Sequence, residues 1–190
     1  MSTTNITEVK IGEQIWTTRN LDVATYRNGD PIFQPTNELD WLEASRSKTP
    51  ACCAYDFVES NIPIWGRLYN WYAVNDPRGL APEGWHIPTS REWMKLVDFL
   101  GESTAGHKLK SFEHWGGSWG SNESGFTGFP AGAGTYGGGG IFLGEKAYFW
   151  SSDKQSHESS FTLKLGRSFY TSFLDVHHSS PQSIRFIKNI

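Results

Sequence analysis

Rings and glycines constrain this chain more than any repeating apolar pattern does. Nine Trp, 12 Phe and 7 Tyr share 190 residues with 20 Gly, while long helical patterns are scarce. Large rings bury much area each, and glycine lets the backbone turn tightly around them. Such a chain builds its core from aromatics packed against irregular, punctuated backbone. The expected class is α+β: a compact domain with short antiparallel strands, two or three helices and long glycine-rich loops. A chain of this length buries roughly 70% of its unfolded surface, so residues 1–190 are read as a single domain.

Charge and hydropathy remove several function classes. Seventeen basic groups face 20 acidic ones, for a net charge of −3, and no Lys/Arg cluster along the chain could track a phosphate backbone. Nucleic acid is therefore not an expected partner. No apolar run approaches the roughly 20 residues of a membrane span, and the opening MSTTNITEVK lacks the basic start and apolar segment of a signal peptide. Cys52 and Cys53 are adjacent, so they cannot staple distant parts of the chain. Two small buried thiols is the preferred reading, with a strained vicinal disulfide as the alternative.

The N-terminal part reads as a β-meander. EVKIGEQIWTTRNL (8–21) places two strand-like runs around Gly12-Glu13, and ATYRNGDPI (24–32) carries the hairpin dipeptide Asn28-Gly29. NELDWLEASRSK (37–48) predicts a short helix capped by Asn37, with Leu39 and Leu42 facing inward and Trp41 sharing that face in part. IWGRLYNWYAV (64–74) is aromatic and amphipathic and is read as a helix, closed by the turn NDPRG.

The stretch GWHIPTSREWMKLVDFLG (84–101) is the clearest element. Thr89 followed three residues later by Glu92 matches a capping box, in which the hydroxyl accepts the N3 amide and the carboxylate reaches back to the cap amide. Trp93, Leu96, Val97 and Leu100 follow at i, i+3, i+4 and i+7, and Gly101 supplies the stop. Thr89, Glu92, Trp93, Trp85 and Trp150 are thus assigned structural roles. His86 sits in the incoming Trp-His-Ile strand as a structural histidine; a catalytic centre on His86, Arg91 and Glu92 is the alternative.

Two catalytic patterns lack the context they need. Gly116-Gly117-Ser118-Trp119-Gly120 fits G-x-S-x-G, but SNESG follows where a nucleophile elbow requires a helix. Gly132 to Gly137 fits G-x-G-x-x-G, yet further glycines and a strand-like IFLG follow, so no helix N-terminus awaits a phosphate. Tight turns between short strands are expected there.

The remainder reads as β: AYFWSS (147–152), SFTLKL (160–165), SFYTSFLDV (168–176) and SIRFIK (183–188), with Phe161, Leu163 and Leu165 alternating against Ser160, Thr162 and Lys164. Its connections hold a polar, aromatic mixture suited to hydrogen bonding and ring stacking. The candidate ligand-binding set drawn from it is Asp153, Gln155, His157, Glu158, Arg167, Tyr170, Thr171, His177 and His178. His177 and His178 are neighbours and would point to opposite faces of a strand, and no Cys or carboxylate framework completes a tetrahedral site. No metal site or cofactor is expected; calcium is the ion that the scattered Asp, Glu and Asn oxygens leave open.

In order along the chain, VKIGEQIWTTRNLD, WGRLYNWYAV, APEGWHIPTSREWMKL, ESGFTGFPAG, YFWSS and SIRFIK resemble the Fibrobacter succinogenes major paralogous domain. The resemblance spans most of the chain and is weakest at residues 33–63 and 153–180. That family is in turn distantly similar to the C-type lectin-like fold of the formylglycine-generating enzymes, where a helix start akin to IPTSREW recurs. The resemblance implies a fold with paired first and last strands, and an extracellular or cell-envelope setting in Bacteroidetes-type bacteria. Formylglycine-generating enzymes use two reactive cysteines in their C-terminal part. No Cys follows Cys53 here, which excludes copper-dependent oxidation by that route. Calcium-lectin motifs of the Glu-Pro-Asn and Trp-Asn-Asp kind are absent as well.

The expected function is a non-catalytic ligand-binding or adhesin-type module that recognises protein or glycan through its C-terminal loops. One alternative is an enzyme on the formylglycine-generating-enzyme fold. The other is a structural or receptor-binding component of a phage or surface assembly, contacting its partner through Trp119 and the 131–140 loop. Relatives of the lectin-like fold include targets of diversity-generating retroelements.

Overall fold

The computed structural model describes residues 6–117 and 120–189, so Ser118 and Trp119 lie outside the described residues. In chain order the elements are β1 (Glu8–Ile11), β2 (Gln14–Thr17), α1 (Glu38–Arg46), β3 (Cys52–Cys53), α2 (Ile62–Trp65), β4 (Leu68–Tyr69), α3 (Trp71–Val74) and β5 (Trp85–His86). There follow α4 (Ser90–Leu100), α5 (Ala105–Leu109), β6 (Ala133–Gly134), β7 (Gly140–Ile141), β8 (Ala147–Lys154), β9 (Ser159–Leu165), β10 (Ser172–His177) and β11 (Ile187–Lys188). This is an α+β arrangement of short antiparallel strands. The two ends of the chain share one sheet, in the order β1-β2-β11-β5, and a second sheet runs β10-β9-β8.

Both sequence signals near the start produce turns. Gly12 adopts φ +59° between β1 and β2, and the Phe99 ring lies so close that a Cβ there would meet it at 2.9 Å. The Asn28-Gly29 turn closes only an isolated Thr25–Pro31 bridge, with Asn28 Oδ1 accepting from the Asp30 amide.

Two expectations fail here. In α1, Leu39 is 77% exposed while Trp41 is fully buried, the reverse of the predicted face. The larger ring gains more from burial, and its Nε1 donates to Ser179 O at 3.0 Å, so Trp41 sets the helix rotation. The predicted helix over 64–74 is instead α2, β4 and α3. Gly66, at φ +77°, ends α2, and buried Asn70 starts α3 by accepting from the Ala73 and Ala51 amides while donating to Thr49 O. A polar side chain serving three backbone groups overrides the local periodicity.

The capping box forms as expected. Glu92 N donates to Thr89 Oγ1, and Glu92 Oε2 accepts from the Thr89 amide and hydroxyl, each at 2.8 Å. Trp93, Leu96, Val97 and Leu100 are buried. Trp93 stacks on Trp16 with ring centroids 4.5 Å apart, and Phe126 meets both rings edge-on. Trp150 is fully buried, its Nε1 donating to Tyr69 O, while Trp85 is half-buried under the Lys188 ammonium.

The sheet β10-β9-β8 divides the core. Ala147, Phe149, Leu163 and Leu165 join the cluster under α4, and Trp150 faces a second cluster with Trp71 and Ile184. The expected alternation on β9 is therefore only half right: Ser160 and Thr162 are fully buried and Phe161 is only partly covered. Thr162 pairs with Trp150 across the ladder, so the face with Ser160 and Thr162 lies under the second cluster. Adjacent Cys52 and Cys53 likewise point into different clusters and remain free thiols. Burial pushes the Cys52 thiol up to about 12 and raises Cys53 further still.

Arg185 is the one charged side chain among the described residues that is fully buried beneath two rings without a carboxylate partner. Its Nε donates to Asn20 Oδ1 at 2.7 Å, Nη1 to Thr17 O and Phe126 O, and Nη2 to Thr127 O, each at 2.8 Å. Burial pulls the guanidinium down to about 9, so the group keeps its charge at neutral pH.

Two consequences are measurable. Replacing Arg185 by Met strands four acceptors and is expected to cost about 3–5 kcal/mol, read from a urea titration followed by Trp fluorescence. Burial opposes ionisation of Glu92, yet the Thr89 amide, His86 and the Thr89 hydroxyl together hold its carboxyl below the ordinary 4.5. The folded chain therefore binds fewer protons at this group: its stabilisation is present above pH 4.5 and is lost as pH falls through the lower folded value. Glu92→Gln is expected to flatten the pH dependence of Tm below pH 4.5 while keeping the cap; an unchanged acid limb would refute the assignment.

Candidate functional site

The C-terminal candidate residues do not form one surface. Gln155, His157 and Glu158 are exposed in the β8–β9 connection, with His177 opposite Ser159 at the same end of the sheet. Arg167, Tyr170 and Thr171 lie in the β9–β10 connection, at the other end of β9, a separation of about 20 Å for a strand of this length. Asp153 stands apart from both groups: its carboxylate accepts from the Ser90 amide and hydroxyl, pinning the start of α4 to β8.

His178 belongs to the core. It is 2% exposed, stacks on Trp71 with centroids 4.2 Å apart, and places Nε2 3.0 Å from Ser160 Oγ. Burial holds its imidazole below the ordinary 6.5. His177 points the other way, as strand alternation requires; its Nδ1 accepts from the Ser179 amide and its ring meets Tyr136 edge-on.

The alternative centre at the start of α4 is also structurally occupied. His86 Nε2 lies 2.8 Å from Glu92 Oε1 and Nδ1 lies 2.6 Å from Asn189 Oδ1, so the ring ties α4 to the last strand. Glu92 thereby serves His86 as well as the cap, a second contact that the sequence motif did not require. Arg91 is exposed. Gly134 lies in β6, and residues 135–139 make the turn to β7, with Gly138 N donating to Thr135 O. Among the described residues, no group of three or more His, Cys, Asp or Glu is placed to hold a metal ion.

A further concavity lies elsewhere. A cleft of about 830 Å³ opens between residues 19–29 and the α2 segment. Buried Leu80, Ile184 and Phe186 form its floor, Ile62, Pro63 and the 48% exposed Ile64 one wall, and Arg19, Asp22, Arg27 and Asn28 a polar rim.

Backbone bonds hold this shape. Leu21 N donates to Ile184 O, and Arg67 N donates to Leu21 O. Arg67 Nε donates to Asp22 O, and the Tyr69 hydroxyl donates to Val23 O at 2.6 Å. Gly66 passes so close to the opposite wall that a Cβ would sit 2.8 Å from Asn20 Cβ and from Leu21 O. Asn20 completes the junction by donating to Trp65 O and Ser183 Oγ. The walls are thus fixed by bonds between the 20–24 segment, the chain around residue 66 and the C-terminal run.

Sequence reasoning missed this cleft. Its lining comes from six separate stretches of the chain, and within each the apolar and polar residues match an ordinary meander or turn. The one local signal is Gly66, a glycine inside an aromatic run where a helix would not want it.

Chemically, the cleft offers hydrogen bonding, two guanidiniums and one carboxylate over an apolar floor. Among its described lining residues there is no His, Cys, Ser or Glu. A comparison with curated proteins returns no match. The sequence model of the Fibrobacter succinogenes major domain matches residues 9–188, from β1 to β11, and the chain belongs to that family.

Proposed function

We propose that this chain is a non-catalytic binding module that holds a segment of a protein ligand in the cleft between residues 19–29 and 62–66. The observation that carries the proposal is the cleft itself: about 830 Å³, apolar at its base, charged at its rim and braced by backbone bonds. Binding sites have this composition, and pre-formed walls spare the ordering cost of association. Among the described lining residues there is no His, Cys or Ser to make the nucleophile–base pair of covalent catalysis.

A polypeptide suits the cleft better than a sugar. Sugar stacking needs an open ring face, but Tyr26 is 2% exposed with the Arg78 guanidinium 4.0 Å from its ring centre, and Phe186 is buried. Phe129 packs against Trp65 and His114. Arg19 and Arg27 outnumber Asp22 on the rim, which favours a segment carrying carboxylates beside its apolar anchor. The module is proposed to be a C-type lectin-like domain, a reading supported by the sheet that joins both chain ends and by the short strands and glycine turns. An extracellular or cell-envelope setting is part of the same proposal, with an adhesin-type role.

Selection of peptides from a random display library on the immobilised protein tests this reading. Ile64→Glu and Arg19→Glu are expected to weaken retained peptides at least about tenfold with Tm kept within about 2 °C. Peptides that bind both variants as well as the parent would place the site elsewhere.

A further inference from the structure

We infer that the β9–β10 turn forms a second binding site, a pocket for the oxyanion of an acidic saccharide, borne as a sulfate ester or a carboxylate. A hollow of about 220 Å³ lies there, lined by Lys146, Lys164, Arg167, Ser168, Tyr170 and Ser172, with Glu145 as its one acidic residue. The fold assembles a cation group that is dispersed along the chain. Lys164 stands opposite Ser172 on β10 and Tyr148 on β8, so its ammonium and the Ser172 hydroxyl rise from the same face of the sheet. Lys146 flanks that face and lies over the Phe142 ring at 3.3 Å.

Neither Lys146 nor Lys164 makes an ion pair among the described residues. Like charges brought together around one hollow repel, and a bound anion reverses the sign of that interaction. The hydroxyls of Ser168 and Ser172 add donors suited to anion oxygens. The volume is below that of a drug-sized site and fits a single anionic group with part of its sugar ring.

The turn is held ready. Gly106 in α5 lies so close that a Cβ would meet Tyr170 O at 2.5 Å and Phe169 O at 2.8 Å. His107 N donates to Phe169 O at 2.9 Å, and the Lys110 ammonium donates to Gly166 O at 3.1 Å. The turn's backbone is therefore held by hydrogen bonds at Gly166 and Phe169 and by close packing of Gly106 at Tyr170, while Tyr170 remains 58% exposed at the pocket. An open ring beside a cationic hollow suits a sugar face adjoining its acidic group. A nucleic acid is disfavoured, because three cations around one hollow do not form a stripe that follows a phosphate backbone.

Titration calorimetry with a sulfated oligosaccharide, a uronate-only oligosaccharide and inorganic sulfate tests the inference on the full chain. Lys164→Gln/Arg167→Gln is expected to weaken the tighter oligosaccharide at least about tenfold, with Tm held within about 2 °C. Should that variant unfold, Lys146→Gln/Arg167→Gln carries the same expectation. Tyr170→Ala is expected to weaken the oligosaccharide and leave inorganic sulfate unchanged. The tighter of the two oligosaccharides identifies the anionic group. The inference is overturned by unchanged affinity in both charge variants, by an equal loss in Lys48→Gln, or by an oligonucleotide that displaces the saccharide. The pocket shares no lining residue with the 19–29 cleft, so Ile64→Glu is expected to leave saccharide binding intact.

Discussion

Arg185 ties the 126–127 turn to the junction where β2 pairs with β11. Taking a guanidinium out of water costs several kcal/mol, and here no carboxylate offsets it. The compensation comes from four hydrogen bonds, three of them to backbone carbonyls, and from the faces of Phe126 and Phe149. Those carbonyls belong to Thr17 at the end of β2 and to the 126–127 turn, while Arg185 itself leads into β11. The cost of leaving the charge unsatisfied fixes these three segments relative to one another.

The proposed cleft depends on the same junction. Arg185 binds Asn20 Oδ1, and the Asn20 amide nitrogen donates to Trp65 O and Ser183 Oγ, so the network continues into both walls. Gly66 is the complement of that contact, since a side chain there would push the walls apart. The 166–171 turn has the same logic on a smaller scale: Gly106 packs against it, and His107 and Lys110 donate to its carbonyls. In both places the backbone is fixed by groups behind the proposed binding surface.

The helix start at Thr89 was readable because everything it needs lies within twelve residues. Cap, carboxylate, apolar face and stop are local, and tertiary contacts reinforce them. Where a buried group served distant partners, local reading went wrong. Trp41 turned α1 because Ser179 accepts its indole N–H, and Asn70 broke a predicted helix because it serves Thr49, Ala51 and Ala73. Ser160 looked like a solvent-facing residue and is buried, its hydroxyl bonded to His178, which in turn stacks on Trp71.

By itself, the sequence determined the family, the α+β class, the presence of strands β8 to β10 and the structural roles of Thr89, Glu92 and Trp93. The class and the helix start follow from composition and spacing, and the family from a resemblance of ordered motifs, all of them properties of the chain alone. Tertiary structure alone decided which residues share a surface. It split the nine C-terminal candidates between opposite ends of β9, buried His178 and assigned Asp153 to Ser90. It also assembled a cleft from six separate segments and a cationic pocket from residues that form no run. A binding surface is a set of side chains brought together across the fold by loop closure and hydrogen bonds to a buried framework, and no period along one segment encodes that assembly.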